Sequence, residues 1–232
     1  MKVIGISGQT GAGKTTFSKE LEKSLSKLLH VIYIDVDSLG HEVLKDPTVI
    51  NALTKAFGDD ILTDSQIDRK KLGAKVFLSS DATERLNSIM HPKMVSLVED
   101  VIKTNKDSRN TLIIIDAALL YKMKLNNLCN KIIYVKADSE IRVQRLMATR
   151  GWTEERARQR LFSQDKEPEG KKLTVPSKKH ISDYKKIHSF YLKNYNLLIV
   201  ENNGTMKEIK QILKYFYISA TLSKLRLSFS LS

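Results

Sequence analysis

A lysine and a threonine directly behind a glycine-rich turn set the first chemical expectation. Gly8-Gln9-Thr10-Gly11-Ala12-Gly13-Lys14-Thr15-Thr16 follows the apolar run Val3-Ile4-Gly5-Ile6-Ser7. Within it, Gly8, Gly13, Lys14 and Thr15 stand at the spacing G-x-x-x-x-G-K-[ST] of a phosphate-binding loop. Glycines permit backbone angles that side chains forbid, so successive N–H groups can curl around an anion. The positive end of a following helix would point at the same place. Lys14 can reach the β- and γ-phosphates of a nucleotide, and the Thr15 hydroxyl is a hard oxygen ligand suited to Mg²⁺. Phe17, Leu21, Leu25 and Leu28 recur at helical spacing behind the loop, so the chain must pass from strand to turn to helix here.

Carboxylates supply the next candidates. Asp35 and Asp37 close the second apolar run, residues 31–34, and Asp116 closes the third, residues 112–115. Ligands of parallel α/β sheets bind at the carboxyl ends of the strands, where these groups would lie. Apolar residues ending in Asp116 resemble a Walker B site, whose carboxylate orients Mg²⁺ or its waters. Asp37 has a plainer reading, as N-cap of a helix beginning Ser38-Leu39. Cations cluster later: Arg142, Arg145 and Arg150 on one helical pattern, then Arg156, Arg158 and Arg160 on a second beyond Gly151-Trp152-Thr153. A hairpin of that kind can close over a transferring phosphoryl group and exclude water. A solvated, salt-bridged helix pair accounts for the same arginines without chemistry.

These groups need a scaffold. Five β-branched runs, at 3–7, 31–34, 112–115, 132–135 and 197–200, read as buried strands separated by helical patterns. The fold class is therefore α/β with a five-stranded parallel sheet. Residues 38–105 are too many for one crossover. They carry helical patterns at 39–44, 49–57, 70–77 and 82–101, which predicts a helical insertion covering the acceptor.

The 232 residues carry a formal net charge of +13, which favours anionic partners such as nucleotides, or else reflects solvated lysines. The lone Cys129 excludes an intramolecular disulfide. The chain starts on a strand and offers no signal peptide, nor an apolar run near the ~20 residues that span a bilayer, so it reads as a cytoplasmic enzyme.

Taken in order, the motifs resemble the dephospho-CoA kinase family. The resemblance rests on the loop Gly8–Thr16, then Ile34-Asp35-Val36-Asp37 with His41 and Leu44, then Phe57-Gly58. Ile67-Asp68-Arg69 follows with Leu72-Gly73 and Val76-Phe77, and then Leu86-Asn87-Ser88-Ile89-Met90-His91-Pro92. Asp116 with Leu119-Leu120, Gln144-Arg145-Leu146, Arg150, Gln164 and Glu201-Asn202-Asn203-Gly204 complete it, over residues 1–170 and 196–213. It implies one kinase domain over 1–232: a P-loop nucleoside-triphosphate-hydrolase-like three-layer sandwich, a helical CoA domain at 38–105 and a lid at 139–170. It implies transfer from ATP, with Mg²⁺, to the 3′-hydroxyl of dephospho-CoA, with no obligatory nucleic acid. By the same resemblance Lys14, Asp37 and Arg145 are catalytic, Asp37 being the carboxylate at the acceptor hydroxyl. Gly8 through Thr16, Arg150, Asn202 and Gly204 hold the nucleotide, with Asn202 and Gly204 near adenine, and Thr15 ligates the metal. Asp37, His41, Arg69, His91 and Asp116 face the acceptor.

Plainer readings stand beside these. His91 before Pro92 could open a turn, Arg69 could pair with Asp68, and Trp152 could anchor the lid without chemistry. The sequence departs from the family where Ala118 replaces a proline, where Lys122 stands near an expected acid, and where Asn196-Leu197 replaces Ala-Asp. It also carries a basic stretch at 170–195, expected to be a solvated, partly helical insertion, and a C-terminal stretch, 214–232, expected to be a helix packed on the core with frayed final residues. Another small-molecule kinase of the same fold is the competing reading, and a basic nucleic-acid-binding ATPase is a further one. A GTPase is disfavoured because Val135-Lys136-Ala137-Asp138 lacks the asparagine of Asn-Lys-x-Asp.

Overall fold

A computed structural model describes residues 1–76, 79–162, 168, 172–175, 197–205, 207–210 and 213. Phe77, Gln164, most of the basic stretch and residues 214–232 lie outside the described residues. The chain divides into two compact units: one of Met1–Ile34 with Asp107–Ser232, the other Asp35–Lys106.

The first unit is built on a sheet with six strands among the described residues. Its strands are β1 (Lys2–Gly8), β2 (His30–Asp35), β5 (Thr111–Asp116), β6 (Lys131–Lys136), β7 (Lys172–Val175) and β8 (Leu197–Glu201). Their order is β2-β5-β1-β6-β8-β7. β1 runs parallel to β5 and β6, and β8 parallel to β6 and β7. The five expected strands are all present. The sixth, β7, comes from the basic stretch, which was expected to be a partly helical insertion and in which no strand was expected. Lys172-Leu173-Thr174-Val175 is short and begins on the second of two lysines, which hides a strand that pairs along one edge only.

β5 is buried along its whole length, so it shows no alternation. Ile6, Ile114, Ile133 and Val200 pack into one core with Phe17, Leu21 and Leu25 of α1 (Lys14–Leu25). Burying each of those α1 side chains contributes roughly 1.5–3 kcal/mol, which fixes the helix that follows the loop. Leu28, expected on the same face, lies beyond the helix end and is half-buried. Two further helices of this unit, α6 (Ser139–Arg150) and α7 (Glu154–Phe162), form a hairpin. Val143, Leu146, Ala157 and Leu161 join them, with Trp152 packed against the cluster.

The second unit holds α2 (Val36–Val43), α3 (Pro47–Phe57), α4 (Arg69–Val76) and α5 (Ser80–Thr104), with α2, α3 and α4 each packed on α5. Between α3 and α4 runs a small antiparallel pair, β3 (Leu62–Thr63) with β4 (Gln66–Ile67). The sequence reading missed it, because its turn residues Asp64 and Ser65 take φ of 49° and 61° without a glycine. α5 passes straight through His91-Pro92 instead of turning there. Pro92 merely withholds the N–H that would have met the Ser88 carbonyl.

Candidate active site

The glycine loop joins β1 to α1. Gly8 ends β1 so close to β6 that a side-chain carbon there would lie 2.4 Å from the Val135 carbonyl oxygen. The Gln9 N–H donates to that same oxygen at 3.0 Å, and the Gln9 side-chain oxygen accepts from the Ala137 N–H at 3.2 Å. The Ala12 N–H turns back to the Gln9 carbonyl at 3.1 Å, so Thr10 and Gly11 form the tip of a tight loop.

Gly13 caps α1 in the left-handed region, with φ 83°, and no side chain caps the helix. The first turn, Lys14-Thr15-Thr16, holds no acid, and Thr15 and Thr16 are exposed. An uncapped helix start with its dipole unopposed is an anion site. The first helical bond runs from the Phe17 N–H to the Gly13 carbonyl.

Behind the loop lies a buried polar network. The Lys14 ammonium is ion-paired with Asp116 Oδ1. Asp116 Oδ2 accepts from the Ser18 hydroxyl at 2.5 Å and from the Tyr33 hydroxyl at 2.6 Å. Asp116 is 1% exposed, so its charge needs these partners. The structure thus brings together the lysine and the strand-end aspartate that the sequence reading singled out. It adds Ser18 and Tyr33, which that reading missed. Ser18 stands one helical turn past Lys14 and Tyr33 two residues before Asp35, but neither position carries a motif.

Arg145, on α6, is half-buried, and desolvation lowers its pKa from the ordinary arginine value. Its guanidinium donates to three backbone carbonyls: Ala12 at 3.3 Å, Asn202 at 2.9 Å and Gly204 at 3.2 Å. It therefore joins the glycine loop to the segment after β8. Asn202 lies there too, with its Nδ2 2.6 Å from the Ala12 carbonyl oxygen. Next to it, Asn203 accepts from the Asp138 N–H at 2.8 Å.

The other arginines of the hairpin separate. Arg142 is 1% exposed. Arg150 and Arg156 both sit over the Trp152 indole, 5.1 and 4.8 Å from its ring centre. Arg158 makes a two-pronged contact with Glu140 at 2.8 and 2.7 Å and reaches Glu154 at 2.8 Å. The salt-bridged reading therefore fits Arg158, and Trp152 packs on the hairpin core as an anchor.

In the second unit, Asp35 and not Asp37 caps α2. The Asp35 carboxylate accepts from the Ser38 N–H at 3.1 Å and the Ser38 hydroxyl at 2.8 Å. Asp37 lies inside the first turn and is exposed. His41 is exposed in the last turn of the same helix. Asp68 does not pair with Arg69. Its carboxylate accepts from the Lys70 and Lys71 N–H groups at 2.9 and 3.2 Å, which holds its pKa below the usual carboxylate range. Arg69 is left exposed at the start of α4, with no ion pair among the described residues. His91 is half-buried within α5. Of the departures, Ala118 and Lys122 lie exposed in the turns that follow β5.

Comparison with known proteins gives the family of the chain. The family model for dephospho-CoA kinase matches residues 2–176. The chain belongs to the dephospho-CoA kinase family. A dephospho-CoA kinase of Porphyromonas gingivalis is 34% identical over 169 residues, 72% of this chain and 79% of that protein. One from Geobacter sulfurreducens is 34% identical over 166 residues, 71% of this chain and 82% of that protein. The fold is shared with the crystal structure of TT1252 from Thermus thermophilus: TM-score 0.62, 22% identity, 97% of each chain covered. As a member of the dephospho-CoA kinase family the chain is an ATP-dependent phosphotransferase. Among the described residues, no helix is long and apolar enough to cross a membrane.

Proposed function

We propose that the chain transfers the γ-phosphoryl group of ATP to the 3′-hydroxyl of dephospho-CoA, giving CoA and ADP, in the cytoplasm. The observation that carries the reading is the uncapped α1 start with the Lys14–Asp116 network behind it, in a chain of this family. The loop N–H groups and Lys14 hold the β- and γ-phosphates. Thr15 and Asp116 offer the hard oxygens that suit Mg²⁺, an ion that keeps its own waters and binds substrate phosphates. Bound there, Mg²⁺ would neutralise charge on the β- and γ-oxygens.

Asp37 orients the 3′-hydroxyl and accepts its proton as the new O–P bond forms and the bond to the ADP oxygen breaks. Its exposure, with the cap of α2 supplied by Asp35 instead, supports that role. His41, Arg69 and His91 line the acceptor side, in the unit Asp35–Lys106. The α6–α7 hairpin acts as the lid, with Arg145 and Arg150 on the donor side. Phosphoryl transfer has a loose transition state, so such positioning and charge neutralisation supply most of the catalysis.

The test is ADP release from Mg-ATP with dephospho-CoA, with a nucleoside panel and with no acceptor. Release that depends on dephospho-CoA is the expected result. Release that depends on a nucleoside would move the chain to another small-molecule kinase activity.

A further inference from the structure

We infer that Asn202 is a positioning residue for the donor phosphates: its side-chain amide holds the Ala12–Gly13 peptide so that the Gly13 N–H points into the loop. The inference rests on the reading of that loop as the site of the ATP phosphates. It differs from the sequence expectation, which put Asn202 beside the adenine base.

Asn202 is 3% exposed, so its side chain is closed to a base but in contact with the loop. Nδ2 donates to the Ala12 carbonyl oxygen at 2.6 Å, and Arg145 Nη1 supports the same oxygen at 3.3 Å. A trans peptide is planar, with its C=O and N–H directed oppositely. Fixing the Ala12 carbonyl on the outer side of the loop therefore fixes the Gly13 N–H on the inner side, where an anion would sit.

Two further observations point the same way. A side-chain carbon on Gly13 would lie 2.6 Å from Asn202 Nδ2, so the amide fills the space that the glycine leaves. Asn202 Oδ1, meanwhile, has no hydrogen-bond partner among the described residues. A buried acceptor left unsatisfied is destabilising, and an apolar residue would avoid that cost. An asparagine here is explained by what its Nδ2 does. Its own backbone is anchored, the N–H donating to the Lys136 carbonyl at 2.8 Å.

The test is Asn202→Asp, the same shape with an oxygen in place of the donor. Calorimetry on the full chain would measure Mg-ATP and Mg-tripolyphosphate, a probe with phosphates and no base. The account expects both to weaken by the same factor, about tenfold, while the KM for dephospho-CoA stays within about twofold. Weakening of ATP alone would assign Asn202 to the base and overturn the inference. Unchanged binding of both would overturn it as well, as would a matching loss of dephospho-CoA affinity, which marks general damage. If Asn202→Asp does not fold, Asn202→Ala removes the donor without adding a repelling oxygen, and the same outcomes apply. A wild-type chain that binds tripolyphosphate but forms no CoA would sink the acceptor assignment and leave this inference standing.

Discussion

The glycine-loop region and the helical unit Asp35–Lys106 place their polar residues in opposite ways. Around the loop, Lys14, Asp116, Arg145 and Asn202 are each held by named partners in the fold, and Asp116 and Asn202 are almost fully buried. In the helical unit, Asp37, His41 and Arg69 are exposed, while Asp35 and Asp68 secure helix ends. Phosphates look alike in every nucleotide, so a rigid cradle of backbone groups can bind them. An acceptor is particular to one reaction, and side chains projecting from helices suit that task.

Breaking the cradle should cost most. Lys14→Ala should lower single-turnover CoA formation on the order of 10³-fold or more, since it removes the cation aimed at the phosphates. Near-normal turnover would detach the loop from the chemistry. Asp37→Asn should lower kcat by roughly 10²–10⁴ with ATP affinity kept, the signature of a base on the acceptor side. A loss confined to ATP binding would instead place Asp37 with the nucleotide and blur the contrast. Tyr33→Phe removes one of the donors to Asp116 and should lower kcat about three- to tenfold in steady-state assays.

The smallest effect belongs to a structural carboxylate of the helical unit. Asp68→Ala should lower Tm by about 2–4 °C at pH 7, with activity within about twofold of wild type. The folded chain holds the Asp68 pKa below its ordinary value, so its stabilisation is full above that value and is lost as pH falls through the folded one. The gap in Tm between wild type and variant should therefore close as pH drops below about 4. A gap that persists in acid would mean that Asp68 acts other than as an ionised cap.

The same contrast explains what the sequence made legible. Local spacing encodes a backbone cradle, so the loop, α1 and the strand ending in Asp116 could be placed from the residues alone. Partners that meet only through the sheet carry no such spacing: Tyr33 lies 83 positions from Asp116, and Asn202 lies 190 from Ala12. In the helical unit the apolar periodicity predicted four helices, and four α-helices are present among the described residues. The choice between Asp35 and Asp37 as cap was invisible, because both can cap and the strand ends between them. Arg145 was expected among the lid cations, but its guanidinium is turned onto backbone carbonyls, a partner type that charge patterns do not reveal.

The account stands most directly on where the phosphate goes. Phosphorus NMR with mass analysis of the product from Mg-ATP and dephospho-CoA would locate it. The predicted result is one new phosphomonoester on the ribose 3′-carbon, formed in equal amount with ADP. A phosphomonoester elsewhere, or ADP formed without one, would contradict the account.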